Sequence, residues 1–175
     1  MEEKKTIMKH SMTYGAVLGV FMVLVSLIFY IMDINPQQST VGMLATYGAI
    51  IGMMIYGIVS YKKLGGGYIT FGEAFKTGLS VVFFGSLIQA FYIYIFAGFI
   101  EPEFITKMLE EAEAEMLRSN PEMTDAQLDQ AMMYTEKFMS PGMMAFWTIL
   151  GQAILGAVLS LVASAFLKKD NPNFQ

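Results

Sequence analysis

Two glutamines occupy positions where chemistry inside a membrane would have to occur. Gln89 and Gln152 each lie deep in a long apolar run, far from any Asp, Glu, Lys, Arg or His. A carboxamide at that depth can tie two helices together, at about 1 kcal/mol or less. It can alternatively line a narrow polar path, but the interhelical tie is the preferred reading. It cannot relay protons, because it does not titrate, and proton-coupled pumps generally place an ionisable group at mid-membrane. Tyr14, Thr46, Tyr47, Ser80, Ser86, Ser160 and Ser164 offer weaker versions of the same tie.

Other chemistries find little support. There is no cysteine, which excludes disulfides, thiolate metal sites and cysteine nucleophiles. The single histidine, His10, is the only imidazole base for a serine nucleophile, and no HExxH is present. Glu110, Glu111, Glu113 and Glu115 cluster, but side chains radiating from a helix do not wrap a cation, and no calcium loop surrounds them. Sixteen methionines could suggest Cu(I), yet no cysteine accompanies them and His10 falls on the opposite side of the membrane. Methionine as adaptable packing is the simpler reading. The expectation is therefore no catalytic residue, no metal and no cofactor.

Four stretches, at about 11–32, 41–61, 75–100 and 143–167, are apolar over the roughly 20 residues that a membrane helix needs. Hydrophobic residues make up 55% of the chain and charged residues 15%, a balance unlike that of a nucleic-acid-binding module or a disordered chain. The first stretch follows Lys4, Lys5 and Lys9 but outruns a signal core and lacks an A-x-A site, so it reads as an uncleaved span. Lys4, Lys5, Lys9, Lys62, Lys63, Lys76, Lys168 and Lys169 share one side; Lys107, Arg118 and Lys137 fall on the other. The positive-inside rule then puts both termini and the 62–74 loop in the cytoplasm. Spans two and four both end in Lys-Lys, which topogenesis alone accounts for without an internal duplication.

The connector between spans two and three is the most informative local stretch. Gly65, Gly66 and Gly67 free the chain to turn. Thr70 stands three residues before Glu73, the spacing of a capping box that starts the third helix. Lys76 can pair with Glu73 and, with Lys62 and Lys63, reach lipid headgroups. The phosphate-loop pattern is absent, because no glycine precedes Lys76-Thr77.

Outside the membrane, 101–142 reads as a helical hairpin. Ile105, Leu109, Ala112 and Met116 share one helical face, and Leu128, Met132, Thr135 and Met139 share another. Ser119-Asn120-Pro121 stops the first helix, Thr124 with Gln127 makes a second capping box, and Ser140-Pro141 leads into span four. An Asn35-Pro36 turn is expected between the first two spans. Small residues at four-residue spacing (Gly15 with Gly19, Gly48 with Gly52, Ala74 with Gly78, Ala153 with Ala157, Ser160 with Ser164) support either intramolecular packing or a homo-oligomer.

The Lys-rich lead, the 67–78 stretch Gly-Tyr-Ile-Thr-Phe-Gly-Glu-Ala-Phe-Lys-Thr-Gly and the acidic, Met-rich insertion resemble a family of small bacterial inner-membrane proteins. That family is widespread in Bacteroidetes and known only as a domain of unknown function (4199). The resemblance covers about residues 5–170, and the 67–78 motif is its specific part. It implies an envelope membrane protein and transfers no activity, cofactor or catalytic residue.

The expected architecture is all-α: one domain over 1–175, a four-helix membrane bundle with an amphipathic hairpin at 101–142. The leading function is a non-enzymatic scaffold or accessory subunit of the bacterial inner membrane. It would bind a membrane or periplasmic partner through Leu109, Met116, Leu128 and Met132. The alternative is a small oligomeric transporter or channel with Gln89 and Gln152 lining a path. The lipid bilayer is a partner in both.

Overall fold

A computed structural model describes residues 2–34 and 39–170, with side chains from Ile7 onward. The expected Asn35-Pro36 turn and the Lys4 and Lys5 side chains lie outside these residues. The fold is all-α. In chain order come α1 (Glu2–Ile31), α2 (Thr40–Leu64) and α3 (Phe71–Ile95), a π-helical segment (Phe96–Ile100), then α4 (Glu103–Ser119), α5 (Asp125–Phe138) and α6 (Pro141–Leu167). Four helical stretches are long and apolar enough to cross a membrane: Ile7–Ile31, Thr40–Leu64, Phe71–Ile100 and Pro141–Leu167. The chain is a multi-pass membrane protein. At several ends the helices run past the apolar stretches, because polar and charged residues there can keep helical backbone while their heads reach water.

Contacts divide the chain into two compact units, Met1–Gln89 with Ile149–Gln175, and Ala90–Thr148. The first unit is the bundle. Its core is built from Leu18 and Met22 of α1, Ile50, Met54 and Ile58 of α2, Val81 and Val82 of α3, and Ala163 of α6. Close backbone approach is what lets these helices meet. A Cβ built on Gly15 would lie 2.5 Å from Phe84 Cβ and 2.8 Å from the Val81 carbonyl oxygen. One on Gly19 would lie 2.7 Å from Ile88 Cβ and 2.9 Å from the Gly85 carbonyl oxygen. Gly78 faces Ser160 and Ile58 in the same way, and Gly156 faces Val82. α3 therefore packs against α1, α2 and α6. Small residues substitute here for the hydrophobic driving force that lipid does not supply.

The second unit holds the exit of α3 and the hairpin. Glu101 N–H donates to the Phe96 carbonyl at 2.8 Å, the five-residue spacing that defines the π segment. Phe96 stacks with Tyr92, centroids 5.4 Å apart, and meets Phe104 edge-on at 5.7 Å. α4 and α5 pack on each other, and neither contains a buried residue.

Candidate functional site

Three places carry the polar groups singled out by the sequence. The first is inside the bundle. Gln152 Nε2 donates to Gln89 Oε1, joining α6 to α3 directly. Each carboxamide gives the other a partner that a hydrocarbon environment would otherwise deny it. Further ties run alongside. Tyr14 and Ser60 share a hydrogen bond of 2.7 Å between α1 and α2, and the Ser160 hydroxyl donates to Met54 Sδ at 3.3 Å. Ser86 instead donates to the Phe83 carbonyl within its own helix.

His10 belongs to this network, and the sequence reading gave it no role. Its Nε2 lies 3.0 Å from the Gly57 carbonyl oxygen, while its ring sits 4.6 Å from Tyr14 and 5.4 Å from Tyr61. The i, i+4 spacing of His10 and Tyr14 was the available signal. The partner on α2 was not readable, because it lies 47 residues away.

The second place is the connector. Glu73 Oε2 accepts from the Thr70 N–H and the Thr70 hydroxyl, both at 2.8 Å, while the Glu73 N–H donates to Thr70 Oγ1 at 3.3 Å. This is the reciprocal capping box. Gly66 and Gly67 hold φ of 67° and 89°, a region open to glycine and costly for other residues. Lys76 is exposed and forms no ion pair with Glu73. Beyond the turn, Ile69 and Lys169 exchange backbone hydrogen bonds of 3.0 and 2.9 Å, so the connector pairs with the chain leaving α6. Lys62 Nζ donates to the Leu167 carbonyl at 2.8 Å, satisfying a carbonyl that a helix end leaves open.

The third place is the hairpin. Leu109 and Met116 of α4, and Leu128 and Met132 of α5, are half-buried. The large apolar side chains that stay exposed are others: Leu117, Met133, Tyr134 and Phe138. Gln127 accepts from the Thr124 N–H at 3.0 Å, forming the second capping box. An open groove of about 790 Å³ lies at the α4–α5 turn, lined by Asn120, Met123, Gln127, Gln130 and Tyr134 among others. The Ser140 hydroxyl turns back to the Lys137 carbonyl at 2.9 Å, and α6 starts at Pro141. Among the described residues no group of three or more His, Cys, Asp or Glu side chains is placed to hold a metal ion.

Apart from His10, the residues of all three places fall within residues 13–169, the region matched by the model of a family described as protein of unknown function (DUF4199). The chain belongs to the DUF4199 family. No curated protein and no solved structure matches it. The DUF4199 match ends at Lys169, the residue bridged to Ile69, so the family region includes both halves of that pairing.

Proposed function

We propose that this chain is a non-catalytic scaffold or accessory subunit of a bacterial inner membrane, and that its α4–α5 hairpin docks a partner. Both termini and the 62–74 connector face the cytoplasm in this reading, following the lysines. The observation that carries it is the hairpin's surface. Neither α4 nor α5 buries a residue, Leu117, Met133, Tyr134 and Phe138 stay exposed, and Glu110, Glu111 and Glu115 of α4 are exposed as well. Apolar side chains among carboxylates suit a partner with apolar anchors in a basic rim. Leu109, Met116, Leu128 and Met132 support the hairpin from its half-buried side and would position that surface.

The Gln89–Gln152 bond supports a tie between α3 and α6 over the rival reading of a polar path, since each amide already answers the other. Affinity purification from native membranes in mild detergent tests the proposal. A stoichiometric partner that disappears when 103–139 is deleted supports it. A partner retained after that deletion, or a lone homo-oligomer, defeats it, and the second result would direct attention to reconstituted flux with Gln89→Leu.

A further inference from the structure

The two Lys-Lys pairs, distant in sequence, finish at one corner of the bundle. Lys62 Nζ reaches the Leu167 carbonyl at 2.8 Å, which sets the end of α2 beside the end of α6. The Ile69–Lys169 bridge closes the same corner, and Ile69 is 2% exposed. Lys169 Nζ stands 5.4 Å from the centre of the Tyr68 ring. Lys62 is thus held by a carbonyl and Lys169 by an aromatic face. Lys63 and Lys168 are exposed and form no ion pair among the described residues. The carboxylates nearest in sequence are Glu73, whose Oε2 is committed to Thr70, and Asp170, which follows Lys169.

Sidedness explains why lysines lie at this end of each span. The helix dipoles favour cations at both C-termini. Neither explains why the two pairs should share one corner, where their charges repel. An anion resolves that cost. α2 and α6 are both membrane-length helices that end here, so the corner falls at the depth of lipid headgroups. We propose that Lys63, Lys168 and Lys169 bind the phosphate of an anionic phospholipid headgroup, with Lys62 and the Ile69–Lys169 bridge as the frame that holds them together.

The test is native mass spectrometry of the full chain in detergent with phosphatidylglycerol or phosphatidylcholine, with inorganic phosphate as competitor. The wild type is expected to retain phosphatidylglycerol preferentially. Each of Lys63→Gln, Lys168→Gln and Lys169→Gln should lower that retention about fivefold, the effect of one lysine near an anionic surface. Lys107→Gln with Lys137→Gln, on the hairpin, should leave it unchanged. These side chains are exposed and the bridge is made by backbone, so unchanged circular dichroism is expected throughout. Equal retention of both lipids overturns the proposal, as does equal loss in the hairpin variant. Displacement of the lipid by inorganic phosphate alone assigns the corner to free phosphate and overturns the lipid as source. Extraction of the chain from vesicles by alkaline carbonate overturns the membrane reading and this site together. The lipid-retention outcomes leave the hairpin proposal standing, whose own test is the 103–139 deletion.

Discussion

The bundle and the hairpin solve the same problem, holding helices together, in different ways. In the bundle, helices meet backbone to backbone: Gly15, Gly19 and Gly85 remove the Cβ atoms between α1 and α3, and Leu18, Met54 and Val81 fill what remains. In the hairpin, α4 and α5 meet through half-buried side chains, with no residue fully enclosed. Each region also carries one capping box, Thr70 with Glu73 and Thr124 with Gln127. The difference follows from the surroundings each packing suits. Lipid gives no hydrophobic reward for helix association, so the bundle depends on close fit. A hairpin outside lipid, as proposed for α4 and α5, can depend on a looser apolar stripe.

The largest expected effect tests the close fit directly. Gly15→Val should cost about 3 kcal/mol or more, seen as loss of folded protein in detergent, because the new Cβ meets Phe84 and the Val81 carbonyl. Gly48→Val and Gly52→Val should change stability by less than about 0.5 kcal/mol, since nothing lies within 4 Å of either position. Equal damage at Gly15 and Gly48 would mean that α2 has a second close neighbour, as in a homo-oligomer. Next, Leu18→Ala should cost about 2–5 kcal/mol, because Leu18 is 1% exposed. Leu128→Ala in the hairpin should cost about 1 kcal/mol, since the side chain is half-buried. Matching melting shifts for those two variants would erase the contrast between the regions.

A smaller effect is expected at the glutamines. Gln89→Leu should destabilise by about 1 kcal/mol, by leaving Gln152 without its partner. The double change Gln89→Leu with Gln152→Leu should recover part of that loss in the same unfolding assay. A double variant worse than the sum of the singles would show that the amides have partners besides each other. The smallest contrast concerns the two caps. Thr70→Ala should cost about 1–2 kcal/mol, because its box is closed by a carboxylate, and Thr124→Ala about 0.5–1 kcal/mol, because its box is closed by an amide. Reversal of that order, measured by helix content against temperature, would place the stronger cap in the hairpin.

Four apolar helices, the glycine turn at 65–67, both capping boxes and the stop at Ser119-Asn120-Pro121 were all legible from residue order. Each depends on neighbours only a few residues apart: a span on the hydropathy of one helix length, a cap on four consecutive residues. The π segment was not legible. Its only marks are Gly98 inside it and Pro102 just beyond, which together allow the chain to widen and leave α3 but do not require it.

What the tertiary structure decided is which small residues and which lysines matter. Gly15 with Gly19 and Gly48 with Gly52 are the same pattern on paper, yet one pair meets α3 and a Cβ on either member of the other would meet nothing within 4 Å among the described residues. The physical reason is that a membrane helix is apolar on its lipid-facing and protein-facing sides alike, so hydropathy does not mark the buried face. The bond between Gln89 and Gln152, the contact of His10 with Gly57, and the meeting of Lys62 with Leu167 follow the same logic. They depend on helix register across 63, 47 and 105 residues, and register is settled only when the helices pack.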